Sequence, residues 1–550
     1  RVSRGLGDVY KRQIYIYIKN QLAIIILIVL YIIDYIKRKM AILEKLRYIS
    51  KKIDGVVETR GIERVPPEAR EVQSYKELLN LYIQVVGFWI SAAGGLSSMS
   101  SFLLGPLVFG LDFIDTIVIG LVGMWVGCFI AAYCAIMGPQ SGCRQMVTAR
   151  YLFGVYLVKF IAFVSICGVL GWSVVNSVVG GEILYCISGE KLPLWVGILI
   201  ICAVSYIVAT LGIKQVLKVE MYLCIPVTLV FLLMYIATGS NYRDLLYTYK
   251  NPSENLLGAK LSFFSLCYSI TSTWGSITSD YYILFPETTK KRTVFMITLV
   301  CILVPTTFVG VLGTMLASVA MSNESWMESY DKFGMGGLLY SSFDKWNVGF
   351  AKFLVIILLL SLISNNIINT YSAAFGIQLA SVRLAKVPRY VWAFVVNVIY
   401  LVIALVGRDH FATILGNFLP MIGYWLSIYV IILLVENMVF RKYFLHYYTK
   451  EFPIKEEISK DDHMLFLKHL KIRYNWEIWN DFDKLTLGIA AAAAFACSVG
   501  IVAVSMSQTY WIGPIAKKLD DGDTAMWLAM AVSLVVYPPI RFFELKKFGR

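Results

Sequence analysis

Histidine is almost missing from this chain. There are four in 550 residues, His410, His446, His463 and His469, and each falls in a stretch that reads as a loop or loop edge, which makes imidazole a poor proton carrier at depth. Charge is scarce too: 16% of residues against 58% hydrophobic, a balance that excludes an ordinary soluble domain. The ten cysteines show no C-x-x-C spacing, and many (Cys128, Cys134, Cys167, Cys202, Cys301) sit within apolar runs. That pattern argues against zinc, thiol redox chemistry and a disulfide framework, and leaves these thiols as small apolar fillers. An intramembrane enzyme needs a nucleophile beside a base, or a metal cluster. With no histidine in the apolar runs neither is in view, so the chain reads as a non-enzyme with no metal and no resident cofactor.

What is abundant is apolar length. Runs of about twenty residues, enough to cross the hydrocarbon core, recur from end to end. The fold class is therefore an all-α polytopic membrane protein, with the lipid bilayer as its first partner. The net charge of +14 could suggest nucleic acid, but the Lys and Arg lie mostly between apolar runs, where the positive-inside rule accounts for them. Nucleic acid is not expected as a partner.

Residues 1–13 (RVSRGLGDVYKRQ) read as the translation of a cloning adaptor. Ile14 to Lys39 has the composition that AT-rich untranslated sequence would encode, with Met40 as the start; the rival reading is an extra signal anchor. Residues 40–81 are charged and Pro-bearing and read as a cytoplasmic tail. Twelve spans are expected between 82 and 540: near 82–104, 116–137, 151–179, 194–211, 219–237, 257–284, 294–317, 350–379, 390–406, 411–436, 485–506 and 524–540. A charged loop, 441–484, follows the tenth, an acidic and aromatic outer loop precedes the eighth, and 541–550 is a tail. Placing the amino terminus inside puts Arg144, Lys214, Lys218, Lys290 to Arg292, Arg383, Lys386 and Arg389 on the cytoplasmic side, with both termini.

Two spans are interrupted. The first carries Gly94-Gly95 and the cluster Ser97, Ser98, Ser100, Ser101; the sixth carries the polar run from Ser269 to Asp280. Such segments are tolerated where they line a cavity or are buried in protein. Interruptions five spans apart fit a five-plus-five inverted repeat with discontinuous helices 1 and 6, whose unwound backbone marks the substrate site. In the third span Trp172 and Asn176 share a helix face. An indole beside a carboxamide suits a nucleobase, a flat ring with adjacent donor and acceptor on its edge. Trp274 in the sixth span and Asn365, Asn366 and Asn369 in the eighth add a second indole and more carboxamides. The competing account is packing: Trp is common at membrane interfaces, and Asn can clamp helices together.

Several strings together carry a resemblance. They are Glu58-Thr59-Arg60-Gly61-Ile62-Glu63-Arg64-Val65, Gly105-Pro106-Leu107-Val108-Phe109-Gly110-Leu111, Gly138-Pro139 through Arg144-Gln145-Met146 with Arg150 and Phe153-Gly154, Gly171-Trp172-Ser173 with Asn176, and Asn365-Asn366-Ile367 with Asn369-Thr370-Tyr371-Ser372. From about Glu58 onward the chain resembles the fungal purine-cytosine permeases of the nucleobase:cation symporter-1 family. The resemblance implies a LeuT-like fold of twelve helices in the plasma membrane. It also implies proton symport, by alternating access, of cytosine, adenine, guanine and hypoxanthine, and it maps substrate-binding positions to Ser97, Ser100, Ser101, Trp172, Asn176, Trp274, Asn365, Asn366 and Asn369. Two positions depart from the pattern: Ile368 stands where the family usually has Pro, and Ala93 near where an Asn is expected. The alternatives are a related permease for allantoin, hydantoin, uracil or a pyridine vitamin, and a nutrient sensor on the same fold.

Coupling needs an ion. The acidic residues expected at or near membrane depth are Glu182, Asp280 and Glu436. Asp280 is the first candidate for a proton carrier and Glu182 the second, since low dielectric favours the protonated carboxyl. The rival roles are a gate or a helix-end ion pair. Sodium, held by unwound backbone and Ser hydroxyls, is the less favoured co-ion.

Overall fold

The computed structural model describes residues 61–72, 74–211, 213–248, 256–453 and 472–550, all within the unit Arg60–Arg550. The readings made for 1–39, for 40–60 including Glu58 to Arg60, and for the middle of loop 441–484 lie outside the described residues.

Helices dominate, in the order α1 (Tyr75–Ala93), α2 (Leu96–Leu107), α3 (Phe113–Ala135), α4 (Arg150–Ile187), α5 (Leu194–Ala209), α6 (Ile213–Thr238), α7 (Leu256–Ser272), α8 (Lys291–Ser322), α9 (Glu324–Ser341), α10 (Val348–Ala380), α11 (Arg389–Gly407), α12 (Phe411–Val435), α13 (Ile489–Ser505) and α14 (Ala525–Phe548). A two-stranded ribbon, β1 (Ser507–Gln508) and β2 (Trp511–Ile512), lies between the last two helices. Among the described residues nine helical stretches are long and apolar enough to cross a membrane, while α5 and α13 are shorter apolar helices. The polar α7 holds the place of the sixth expected span.

Local chemistry sets several boundaries. The hydroxyl of Ser74 accepts from Glu77 N, the carboxylate of Asp112 from Asp115 N, and the carboxamide of Asn347 from Gly349 N and Phe350 N. Each satisfies orphan amides at a helix start. The helices fall into two packing sets: α3 lies on α7 and α8, and α8 on α2, whereas α4 lies on α10 and α5, and α10 on α11. The set that contains the interrupted helices thus meets a second set that carries Trp172 and the Asn cluster.

Both expected interruptions are present as local geometry. α1 ends at Ala93 and α2 restarts at Leu96, with Gly94 against α8 so closely that a Cβ there would meet Pro305 Cβ at 2.7 Å. α7 stops at Ser272 and gives way to 3-10 turns over Thr273–Ser276 and Thr278–Tyr281. α10, with Ile368 in place of Pro, runs on without a break. Two expectations differ from what is found. The acidic, aromatic segment before the eighth span is the helix α9, restarted at Gly334 in the left-handed region (φ 59°). The last helix runs to Phe548 through Pro538-Pro539, taking in most of the segment read as a tail.

Candidate functional site

Breaking a helix inside a membrane frees backbone groups that must find partners. At the α1–α2 break they do. Ala93 O accepts from Ser98 Oγ (2.8 Å) and Thr306 Oγ1 (3.1 Å), Ala92 O from Asn365 Nδ2 (3.3 Å), and Leu96 N donates to Ser361 Oγ (3.1 Å). The side chains of α10 thereby hold the break open in one geometry.

The carboxamides form a chain across three helices. Ser97 Oγ donates to Asn176 Oδ1 (2.6 Å), and Asn176 Nδ2 donates to Asn365 Oδ1 (2.9 Å) and Asn366 Oδ1 (3.0 Å). Asn366 Nδ2 continues to Ser177 Oγ (3.2 Å), and Asn369 Nδ2 to Asn365 Oδ1 (2.9 Å). Asn176 is 0% exposed, and every donor and acceptor on its amide is engaged with protein. Ser100 and Ser101 turn inward on their own helix, each hydroxyl donating to Ser97 O.

Beside this chain is a cavity of about 300 Å3, lined by Ser97, Ser98, Val169, Trp172, Ile270, Thr273, Trp274, Ile277, Asn365 and Asn369. Its apolar and aromatic walls and its few convergent polar groups are those of a small-molecule site. Trp172 and Trp274 are 5% and 6% exposed. Trp172 Nε1 donates to Thr273 Oγ1 (3.4 Å), while Trp274 is braced edge-on by Trp89 at 5.7 Å between centroids. Of the nine candidate binding residues, Ser97, Trp172, Trp274, Asn365 and Asn369 reach this cavity; Asn176, Asn366, Ser100 and Ser101 stand behind it. Thr273, Ile270 and Ser98 belong to the lining without having been singled out. Thr273 adjoins Trp274 in the polar run, which was the available signal.

A second cavity, of about 380 Å3, shares Val169 and Ile277 with the first and extends toward the basic loop at Arg144. Asp280 lies here, its Oδ1 accepting from Gln145 N (2.8 Å) at the start of the short helix Gln145–Thr148. Glu182 is distant from both cavities' linings; its Oε2 accepts Met335 N (2.9 Å), just after the turn at Gly334. The carboxylate that reading the spans missed is Glu220 of α6, 0% exposed, accepting hydroxyl bonds from Ser91 and Ser364. Its position at the start of an otherwise apolar span was the one sequence signal.

The segment before α1 is docked on the same basic end. Val65 N donates to Gly142 O (2.9 Å), Arg64 Nε to Ser141 O (2.8 Å), and Arg70 to Pro139 O and Phe285 O. Burial pulls the Arg70 guanidinium below its ordinary range.

The family model described as permease for cytosine/purines, uracil, thiamine, allantoin matches residues 79–513. The chain is 55% identical over 534 residues to the vitamin B6 transporter TPN1 of Saccharomyces cerevisiae, covering 92% of this chain and 91% of that protein. It is 32% identical over 499 residues to the purine-cytosine permease fcyB of Emericella nidulans, covering 90% of each. Among solved structures it is similar to Mhp1, a nucleobase-cation-symport-1 family transporter in a closed conformation with bromovinylhydantoin bound, with a TM-score of 0.57, 14% identity, and 90% and 95% coverage. The last likeness carries the fold alone, which is the LeuT-like one expected. A polytopic helical bundle, an aromatic-walled cavity beside two broken helices, and a family match over most of the chain place it among the transporters rather than the enzymes, and this protein belongs to the family of permeases for cytosine/purines, uracil, thiamine and allantoin.

Proposed function

We propose that this protein imports a vitamin B6-type pyridine across the plasma membrane by alternating access, driven by proton symport. The observation that carries the substrate is how the carboxamides are spent. A nucleobase edge calls for a free donor–acceptor pair, and the Asn176 amide, whose register with Trp172 suits that role, instead spends both N–H groups and its Oδ1 contact within the protein, while Asn365 Nδ2 and Asn369 Nδ2 each spend one N–H. Asn369 Oδ1 accepts no hydrogen bond among the described residues. The Asn369 amide, with its Oδ1 open and one N–H left over, stands beside two indoles and suits a flat ring bearing hydroxyl or hydroxymethyl groups, which both donate and accept. The 55% identity to a vitamin B6 transporter supports the same choice.

The second reading keeps cytosine and purines as substrates, favoured by the 32% identity to a purine-cytosine permease and by the indole pair. Uptake of labelled pyridoxine and labelled cytosine, each measured in yeast lacking its own permeases and challenged with the other compound, tests the choice. Pyridoxine uptake that cytosine and adenine fail to displace is the expected result. Cytosine uptake with no pyridoxine uptake would overturn it.

A further inference from the structure

We propose that Glu220, rather than Asp280 or Glu182, is the proton-binding site that couples substrate movement to the ion gradient. The inference rests on the proton-symport reading above.

Glu220 lies on α6 where that helix packs against α1 and α10. One carboxyl oxygen, Oε2, accepts from Ser91 Oγ (2.7 Å) on α1 and from Ser364 Oγ on α10, and the two hydroxyls are 3.1 Å apart. The other oxygen, Oε1, is buried and has no hydrogen-bond partner among the described residues. Ser91 stands two residues before the end of α1 at Ala93, and Ser364 immediately precedes Asn365, whose amide holds Ala92 O. The carboxyl thus joins α10, which lines the cavity through Asn365 and Asn369, to the end of α1 next to the break that leads on to Ser97 and Ser98.

No positive charge offsets it. Lys214 and Lys218 on its own helix are exposed, and Cys224, one turn further on, is its titratable neighbour within electrostatic reach. The charged and titratable residues of the packed elements lie elsewhere along them. They are Tyr75, Lys76, Glu77 and Tyr82 on α1, Lys352 and Tyr371 on α10, Lys291, Arg292 and Cys301 on α8, and Arg243 and Asp244 in the turn after α6. None forms a hydrogen bond or ion pair with Glu220 among the described residues. A bare carboxylate there is costly. A proton on Oε1 removes the charge while leaving Oε2 as a carbonyl oxygen able to accept both serine hydroxyls, so the bonds present serve the neutral acid as well as the carboxylate. Loading forms one O–H bond at Oε1 with a proton from water. Release breaks it, returns the proton to water and leaves an unpaired buried charge that favours hydration and parting of the α1–α6–α10 joint.

Asp280 and Glu182 are occupied differently, each accepting a backbone amide at a helix start. Those bonds favour a fixed acceptor.

The test uses the full chain in proteoliposomes with labelled pyridoxine, and with labelled cytosine in parallel, reading substrate-driven proton entry with a trapped pH dye. Glu220→Gln should retain substrate counterflow while losing proton entry and the up to about tenfold accumulation that one unit of pH gradient supports at one proton per substrate. Ser364→Ala removes a hydroxyl that favours the anion, so the midpoint of uptake against external pH should move to higher pH. Wild-type proton entry and pH dependence in Glu220→Gln, or an unmoved midpoint in Ser364→Ala if the first variant does not fold, overturns the assignment. Sodium-driven wild-type uptake with no proton entry overturns the proton-symport reading itself, and this site with it.

Discussion

Trp172 and Trp274 bring their indoles to one cavity from helices of different packing sets. Truncating either removes a stacking face, so Trp172→Ala and Trp274→Ala should each weaken substrate binding by about 1–3 kcal/mol with delivery to the membrane unimpaired; binding to the purified variants checks this, and unchanged affinity in a variant removes that indole from the site. The asparagines divide differently from how their spacing suggests. Asn176 was the natural edge reader from its register with Trp172, but its amide is consumed by Ser97, Asn365 and Asn366. Asn176→Ala leaves the Ser97 hydroxyl and Asn366 Oδ1 without this partner in a dry interior, at about 1–3 kcal/mol, while Asn365 Oδ1 keeps Asn369 Nδ2, and it should lower uptake of every ring in proportion. Asn369→Ala should instead change the ratio between pyridoxine and cytosine. Competition profiles that show the reverse would exchange the two roles.

At the scale of elements, the breaks in the first and sixth spans were legible because glycine and hydroxyl residues interrupt an apolar run at corresponding places. α9 was not legible as a helix, since an acidic and aromatic stretch outside the apolar pattern looks like a loop until its packing on α4 is known. That packing turns on Glu182, which caps the restart at Met335 N. Glu182→Gln keeps an acceptor and should transport nearly as wild type, whereas Glu182→Ala loses the cap, about 0.5–2 kcal/mol, and should lower uptake at every pH. A loss confined to one side of the pH range would restore Glu182 as a titrating candidate. The segment between the ribbon and α14 holds a buried carboxyl. Asp523 accepts from Tyr424 OH, Gln508 Nε2 and Ala525 N, and burial pushes its carboxyl from 3.8 up to about 6. Because the folded value lies above the unfolded one, the stability this group contributes is complete below about 3.8 and is lost as pH rises through about 6. The melting temperature of the wild type should therefore fall between about pH 4 and 6 relative to Asp523→Asn; parallel curves would contradict the assignment.

For the molecule as a whole, the helix order, the positions of the spans and the residues of the cavity wall follow from apolar length and from polar groups where lipid would not tolerate them. What joins distant spans does not. Ser91 and Ser364 are 273 residues apart, and nothing in either neighbourhood announces that both bond one carboxyl of α6. The same is true of the basic end. Glu436, which in the chain looks like the close of the tenth span, is fully buried and accepts from Arg441 Nε (3.1 Å), Arg541 Nε (3.1 Å), Tyr448 OH (2.5 Å) and Tyr537 OH (2.9 Å). Arg441 passes on to Glu451 (2.6 Å), whose carboxyl is raised by burial. One carboxylate thus ties the end of α12 to the following loop and to α14. Removing its charge takes from Arg441 and Arg541 the carboxylate they share and leaves them Glu451 and Glu544 alone, a loss bounded by the about 3–5 kcal/mol of breaking a buried pair outright. Glu436→Gln should lower the melting temperature and the yield of folded protein while leaving the pyridoxine-to-cytosine ratio of the surviving fraction unchanged, because the cluster contributes no residue to the lining of either cavity. A melting temperature equal to that of the wild type would mean that α12 and α14 are held by their apolar contact alone.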